Sequence, residues 1–516
     1  MLRSILSVGG LTLVSRILGF VRDVLTAAIL GAGPIADAFF IAFRLPNHFR
    51  SLFAEGAFNA AFVPVFSEIL VRNGRPAART FAGDVYSALF VAQLALLALF
   101  LAIMPWFMTL FAPGFIGDPI RFPLSVLFTR ITFPYLLFIS LVALMGAMLN
   151  SLGRFAAAAA APILLNLCLI GALIGLAPLT PNAGYALSWG VLLAGVAQYV
   201  YLLWDCRRAG INPPLGRPRM TDDVRKFLRV LGPAALGSGL VQINLFIDTL
   251  IASFLPTGAV SYLYYADRLN QLPLGVIGIA VGTVLLPEMA KRLKSGDETG
   301  ALDRQNRALE MSLLLTLPAA VALIATAEPI MTILFQRGAF TTADAAASAN
   351  TLMAYAVGLP AFVVIRSLTP GFHARQDTTT PVRIALIAVG ANIGLKLVLM
   401  GPLAQVGLAL GTSLSAWINA GLLTMALRHR GFFTADARLR RVAPRMTLAA
   451  LALGVGLKFG EYALADWLSS PLPFVKLTAL TGLGITGLVL FALSATKLGG
   501  VDPSILRRLR RGNKKE

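Results

Sequence analysis

The chain has 516 residues, of which 57% are hydrophobic and only 13% are charged, whereas about 25% of the residues in a typical soluble domain are charged. Its mean hydropathy of +0.77 and its long apolar runs indicate a membrane protein, and exclude a soluble enzyme, a disulfide scaffold and a disordered chain. The formal net charge of +20 is therefore interpreted as a signal of membrane topology, because basic residues are enriched on one side of a membrane, and not as a sign of nucleic-acid binding.

Fourteen helical spans are predicted in chain order. Each is long enough to cross a bilayer, which takes about 20 residues. The second and eighth are too long for a straight crossing, so they are expected to bend or to run on past the membrane surface. The predicted limits are 7–31, 35–70, 80–104, 124–149, 155–178, 184–204, 225–255, 258–291, 308–334, 348–373, 380–402, 404–428, 442–464 and 473–497.

The basic residues divide the loops between these spans into two sets. Thirty Lys and Arg lie in alternate loops and in the C-terminal tail, whereas the other loops hold only Arg121 and Arg337. By the positive-inside rule the basic side is cytoplasmic, so both termini are expected there. Because the first span contains Arg16 and Arg22, it is not expected to be a cleaved signal peptide.

The two halves of the chain resemble each other at an offset of about 224 residues. Residues 44–47 lie over 268–271, and Leu110-Phe111 lies over Leu334-Phe335. Six spans separate equivalent positions, so the halves are expected to be parallel repeats, as in alternating-access transporters. The predicted fold is all-α, with an N-terminal lobe at 1–222, a C-terminal lobe at 223–430, and two extra helices with a basic tail at 431–516.

The first span carries Arg16, Arg22 and Asp23. A charge at the centre of a bilayer costs roughly 3 kcal/mol, so these side chains are expected to face protein or a watery cavity. At 100° per residue, Arg16 and Asp23 lie within about 20° of one stripe, and Arg22 points about 120° away from Arg16. The first helix is thus expected to turn two cations towards a cavity, with Asp23 orienting one of them.

Charges also flank predicted helix breaks. Arg44 and Arg50 lie on either side of Pro46, which removes a helical hydrogen bond and should kink or unwind the second span. Gly56 adds a second soft point. The eighth span repeats the design, because Asp267 and Arg268 precede Pro273.

Several arginines around a water-filled cavity suit a large anion, because guanidinium grips phosphate oxygens two at a time. The alternative is mutual neutralisation within the pairs Arg22 and Asp23, Arg50 and Glu55, and Arg268 and Asp267.

A separate group of polar residues lies in the predicted seventh, eleventh and twelfth spans. Asp248 and Lys396 either form a buried pair or belong to an ion-coupling site with Asn392 and Thr412. A lysine there argues against a metal cation, but proton coupling through Asp248 stays open. No metal, cofactor or catalytic motif is predicted, and transport is expected to run on a gradient.

Five segments of the chain carry distinctive motifs, at 15–23, 36–40, 44–47, 50–58 and 264–269. With these motifs the chain resembles the MurJ (MviN) lipid II flippases, within the multidrug/oligosaccharidyl-lipid/polysaccharide exporter superfamily. The resemblance extends over essentially the whole chain. It implies a protein of the bacterial inner membrane that is not an enzyme, and that moves lipid II to the periplasmic face for peptidoglycan synthesis.

The resemblance also implies roles for individual residues. Four arginines would hold the pyrophosphate, namely Arg16, Arg22, Arg50 and Arg268. Asp23 would orient Arg22, and Arg44 stands where some relatives have Lys. Asp37 and Glu55 would serve outer-side gating and helix support.

Other functions compete with this one. The chain could export another lipid-linked oligosaccharide or a drug, although a drug antiporter would want an acidic cavity. A membrane glycosyltransferase would need paired acidic groups outside, and the outer loops offer only scattered ones. A scaffold for the cell-wall machinery is a further possibility. Membrane lipids and cell-wall synthesis proteins are the expected partners, and nucleic acid is not.

Overall fold

The computed structural model describes residues 2–50 and 57–500, without the side chains of 2–6, 49, 50, 57, 234–241, 276 and 278–284. All the regular secondary structure of these residues is helical. The helices are α1 Leu2–Leu30, α2 Pro34–Arg50, α3 Ala57–Phe111, α4 Arg121–Thr132, α5 Tyr135–Ser151, α6 Phe155–Gly171, α7 Ala183–Arg208, α8 Asp222–Ser253, α9 Ala259–Lys294, α10 Glu298–Ala325, α11 Ala327–Phe335, α12 Thr342–Ala356, α13 Leu359–His373, α14 Thr379–His429, α15 Ala437–Ala463, α16 Ala465–Leu468 and α17 Pro473–Lys497.

This architecture confirms the all-α membrane class. In the described part of the chain, nine helical segments are long and apolar enough to cross a membrane, and two of them have 54 and 51 residues. A helix of about 50 residues would be some 75 Å long, which is far more than one crossing needs. The number of fourteen crossings stays a prediction.

Both of these long helices change direction at one non-helical residue. In α3 the residue is Gly74, with φ 78° and ψ −178°. In α14 it is Ala404, with φ 45°, two residues after Pro402. These breaks fall where the sequence predicts a loop between the second and third spans and another between the eleventh and twelfth.

Two other predicted spans are each interrupted at their midpoint. The fourth span is the pair α4 and α5, separated at Phe133 and Pro134. The tenth is the pair α12 and α13, separated at Val357 and Gly358. The two interruptions lie 224 residues apart, which is the offset of the predicted repeat and supports it.

The helices form two compact units. Unit 1 contains residues 1–261 and 337–340, and unit 2 contains 262–336 and 341–516. In unit 1, α8 packs against α3, whereas in unit 2 α10, α15 and α17 pack against one another. The predicted lobes place residues 223–261 with the second half, whereas by packing they belong to unit 1. The lobe limits rest on the repeat and stay a prediction.

The prolines in α2 and α9 do not unwind their helices. Pro46 lies inside α2, and Pro273 lies inside α9. Pro46 removes the usual donor to the Ala42 carbonyl, and the Thr132 hydroxyl lies 3.5 Å from that oxygen and 3.3 Å from the Thr129 carbonyl, so its one proton is shared between the two acceptors. Of the predicted second span at 35–70, α2 covers the part up to Arg50 and α3 the part from Ala57, while residues 51–56 lie outside the described residues, so its continuity stays a prediction.

Candidate functional site

Arg22 forms the best-defined polar cluster among the predicted site residues. Its side chain is buried in α1, where Nε and Nη2 donate to Asp23 Oδ1 at 3.1 and 2.7 Å. Nη1 donates to Asn166 Oδ1 at 3.0 Å, and Asn166 in turn donates to the Ser15 carbonyl at 2.9 Å. The guanidinium plane is therefore held from two sides, by its own helix and by α6.

The sequence analysis did not select Asn166, although it carried a signal. The residue is an asparagine within the apolar run of α6, and a buried amide in such a run requires polar partners. The pairing of Arg22 with Asp23 agrees both with the predicted orienting role and with the alternative of mutual neutralisation.

The other N-terminal arginines are placed differently. Arg16 is exposed on α1, and Arg44 is half-buried on α2. Arg44 lies in electrostatic contact with His48, which accepts or donates a hydrogen bond with Gln242 of α8. Arg50 is the last residue of α2, and its side chain lies outside the described residues, as do Glu55 and Gly56 entirely.

Asp37 holds the first turn of α9. It is fully buried, and its carboxylate accepts hydrogen bonds from the Gly258 amide at 2.7 Å, and from the Ser261 amide and hydroxyl at 3.0 and 2.7 Å. A carboxylate is favourable there because helix N-termini expose unpaired N–H groups and a partial positive charge. The structure therefore ties the predicted gating residue to the start of α9, and gating itself stays a prediction.

Arg268 is half-buried on α9. Its guanidinium lies 4.7 Å from the centre of the Tyr264 ring, and Nη2 donates to the Tyr264 hydroxyl at 3.2 Å. The neighbouring Asp267 accepts a hydrogen bond from Gln271. Tyr264 thus contacts the guanidinium of Arg268, as Asp23 contacts that of Arg22.

An apolar groove of about 680 Å³ adjoins this part of α9 within unit 2. Leu269, Leu272 and Pro273 contribute one wall, and α10, α11, α15 and α17 supply the others. Of the described residues that line the groove, Thr326 alone has a polar side chain. A long hydrocarbon chain is the kind of ligand that such a lining favours.

The predicted ion-coupling residues separate between the units. Asp248 belongs to α8 in unit 1 and lies in electrostatic contact with His48. Lys396, Asn392 and Thr412 belong to α14 in unit 2, where Lys396 is 3% exposed and packs beside Gly411. Asp248 thus belongs to one compact unit and Lys396 to the other, and both the buried pair and the ion-coupling site stay predictions. In the described part of the chain, no cluster of metal-ligating His, Cys, Asp or Glu side chains occurs.

Comparison with known proteins relates this arrangement to one family. Residues 26–478 match the family model described as lipid II flippase MurJ. The chain is 45% identical over 511 residues to a probable lipid II flippase MurJ of Rhizobium meliloti, covering 97% of this chain and 95% of the relative. It is 36% identical to the lipid II flippase MurJ of Burkholderia cenocepacia, covering 87% and 88%.

Solved structures of related proteins share the fold of this chain. A lipid II flippase MurJ in an inward closed conformation aligns with a TM-score of 0.76 and 26% identity, covering 95% of this chain and 98% of that one. An inward-facing multidrug resistance transporter of the MATE family and MOP superfamily aligns with a TM-score of 0.68 at 13% identity, covering 81% of this chain and 94% of that one, which shows a shared fold alone.

Proposed function

The chain belongs to the lipid II flippase MurJ family, and from this premise we propose that it moves lipid II from the cytoplasmic to the outer leaflet by alternating access. Lipid II joins a long polyprenyl tail to a pyrophosphate-linked disaccharide-pentapeptide. A flippase for it must receive an anionic, hydrophilic head and an apolar tail together.

One observation carries this proposal. α9 presents Arg268 next to Leu269, and the groove begins at Leu269, Leu272 and Pro273. A cation and a hydrocarbon-lined groove therefore follow each other on one helix. This order suits a ligand whose anionic group is directly attached to an apolar chain, whereas a soluble sugar or a small cationic drug would not need the groove.

The arginines serve the pyrophosphate in this proposal. Guanidinium keeps its charge at every physiological pH and binds two phosphate oxygens at once. Asp23 and Asn166 hold Arg22, and Tyr264 holds Arg268, so the head would meet cations whose directions are already set. Arg16, Arg44 and Arg50 are proposed as further contacts to the head.

The proposed setting is the bacterial inner membrane, with both termini cytoplasmic. The basic loops support this orientation, because positively charged loops are retained on the cytoplasmic side. Proteins of cell-wall synthesis are the proposed partners, since they make the substrate on one face and consume it on the other.

The head contact is tested by complementation. In a bacterium depleted of its own flippase, the parent chain should make lipid II accessible at the outer face, and Arg268→Ala at matched abundance should not. Arg268→Lys should recover part of the activity, because it restores charge without the planar fork. Arg225→Ala, which removes an exposed arginine 3.6 Å from Asp222, is the control. Full activity of Arg268→Ala would contradict the proposed site.

Two glycines on α17 provide a test and a matched control for the proposed contact with the lipid tail. A Cβ at Gly484 would meet no atom within 4 Å, and because Gly484 lines the groove, a larger side chain there would occupy groove space. Gly482 is equally open but does not line the groove. Gly484→Leu should lower flipping several-fold, whereas Gly482→Leu should leave it near the parent rate. Equal rates for the two variants would remove the groove from the proposal.

A further inference from the structure

A second cavity, of about 390 Å³, lies inside unit 1 among α2, α3, α5, α6 and α7. Its polar lining consists mainly of side-chain amides, and no charged side chain is among the described residues that line it. The polar residues are Asn47, Asn59, Tyr135, Asn150 and Gln198. The cavity is separate from the groove in unit 2, and the proposed flipping function does not use it.

Two of these side-chain amides already use their nitrogen atoms in hydrogen bonds to the backbone. Gln198 is 2% exposed, and its Nε2 donates to the Ala161 carbonyl at 2.7 Å. Asn47 Nδ2 donates to the Phe43 carbonyl at 3.2 Å. Gln198 Oε1 and Asn150 Oδ1 are both buried and accept no hydrogen bond from the described residues. An unsatisfied buried acceptor costs about 1 to 3 kcal/mol, so these oxygens require a partner.

The backbone adds a further acceptor to this cavity. Pro162 lies within α6 and has no N–H, so the Ala158 carbonyl loses its usual helical donor. Ala158 and Pro162 both line the cavity. Oxygen acceptors from α5, α6 and α7 therefore surround one space.

We propose that this cavity binds a monovalent metal cation through neutral oxygens. An anion would find no cationic side chain, and a divalent cation would find no carboxylate, which Ca²⁺ and Mg²⁺ sites in proteins use. Amide and backbone carbonyl oxygens coordinate Na⁺ and K⁺ in transporters and channels. Water alone suits the cavity less well near Gln198 and Asn47, because these two amide nitrogens already donate to backbone carbonyls and offer no hydrogen bond to the lone pairs of a water.

The position of the cavity gives the cation a role. Asn47 lies three residues after Arg44 and three before Arg50 on α2, and Gln198 lies on α7. A cation between them would hold α2, and hence the proposed head contacts, against the rest of unit 1. This coupling role rests on the proposed flipping function, whereas cation binding itself does not.

Binding is tested on the purified full chain in lipid nanodiscs. The midpoint of thermal unfolding is measured in NaCl, LiCl, KCl and choline chloride at constant ionic strength. A metal cation should raise the midpoint above that in choline. Gln198→Leu should weaken the apparent affinity at least tenfold, and Gln198→Glu, which adds a carboxylate, should strengthen it at least tenfold.

The controls use a glutamine of the same unit. Gln93 is 5% exposed and its Oε1 is also buried without a hydrogen bond from the described residues, but it does not line the cavity. Gln93→Leu and Gln93→Glu should leave the cation response unchanged. Equal midpoints in all four salts, or a response that Gln198→Glu does not strengthen, would mean that the cavity holds water only and would overturn the proposal.

A flipping assay in vesicles then separates coupling from function. A rate that rises with the bound cation in the parent but not in Gln198→Leu supports coupling. If flipping ignores the cation although binding is present, the coupling role fails and the flippase stands. If no lipid II moves under any salt, the proposed function fails while the binding result is unaffected.

Discussion

Arg22 shows how an arginine can be retained inside an apolar helix. Asp23 supplies the countercharge, and Asn166 supplies a neutral acceptor from a second helix. Asp23 binds the guanidinium through a single oxygen, Oδ1, whereas Asn166 binds Nη1 from another helix and so fixes a second point of the guanidinium. Because Asn166 also holds the Ser15 carbonyl, the orientation of Arg22 depends on how α1 packs on α6.

Replacing Asn166 tests this orientation. Asn166→Leu keeps the volume and removes a buried hydrogen bond to a charged group, which is worth about 1.5 to 3 kcal/mol. We expect flipping to fall by about 10- to 100-fold, with Arg22→Ala more severe. Initial rates of outer-leaflet appearance of lipid II, at matched abundance, provide the measurement. Gln93→Leu serves as a control for the loss of a buried amide, and an Asn166→Leu rate within twofold of the parent would contradict the orienting role.

The contribution of the Asp377 carboxylate to folding stability is expected to depend on pH. It lies between α13 and α14, where hydrogen bonds from the backbone and side chain of Thr380, aided by Arg430, lower its pKa to about 2. Because the folded pKa is below the usual value, the stabilisation is present above about pH 4 and is lost as the pH falls towards 2.

Asp377→Asn should therefore lower the thermal midpoint at pH 7, with a difference from the parent that shrinks as the pH falls below 4. Melting curves of the purified protein between pH 7 and pH 3 give the test. Asp223→Asn, at an exposed carboxylate, should show no such trend. A difference that stays constant across this range would assign the effect to something other than the carboxylate charge.

At the level of elements, single non-helical residues divide the two longest helices, α3 and α14, into parts that run in different directions. The break in α14 rests on Ala404, which has φ 45° although it is not a glycine. A positive φ brings the Cβ of an L-residue into conflict with its own backbone, and only glycine avoids this cost. The preceding Pro402 ends the first half of α14, and the turn must then be made at once.

Ala404→Gly should raise stability, by up to about 1 kcal/mol, because the strain it removes exceeds the added freedom of the unfolded chain. Ala404→Val should lower it. Thermal midpoints in nanodiscs compare the two with Gly401→Ala, a change at a helical and open position nearby that should be neutral or mildly stabilising. A lower midpoint for Ala404→Gly would show that the backbone at 404 is not strained.

At the level of the whole molecule, a transporter that alternates must break contacts at its outer end. Asp37 holds the first turn of α9 through Gly258 and Ser261, and the Ala339 amide donates to the Ala28 carbonyl at 2.7 Å. These contacts lie within unit 1 as its helices are packed here. We expect them to open when the substrate is released outside.

Asp37→Asn should favour that opening, because an amide nitrogen would face the Gly258 or Ser261 N–H groups. The probe is Ala259→Cys, at a position 1% exposed, in a chain whose Cys168 and Cys206 are replaced by Ala. Labelling by a membrane-impermeant thiol reagent added outside should rise about tenfold, which corresponds to a shift of about 1.4 kcal/mol. Asp466→Asn, at an exposed acidic residue, is the control, and unchanged labelling in Asp37→Asn would contradict the gating role.

The sequence by itself determined the helical membrane class, whereas the number of fourteen spans and the repeat stay predictions. Hydrophobicity and charge act locally, so runs of apolar residues and basic loops can be recognised without knowing their neighbours. The break at Ala404 could be anticipated for the same reason, since it follows a proline in the chain. The pairing of Arg22 with Asp23 could be predicted because the two residues are adjacent.

Only the tertiary structure decided which distant groups meet. Asn166 reaches Arg22 across 144 positions, and Asp37 reaches Ser261 across 224. No local pattern encodes these pairs, because they depend on how whole helices pack. The apolar groove and the amide-lined cavity have the same origin. A groove or a cavity is the space left between several helices, and it exists only once those helices have assembled.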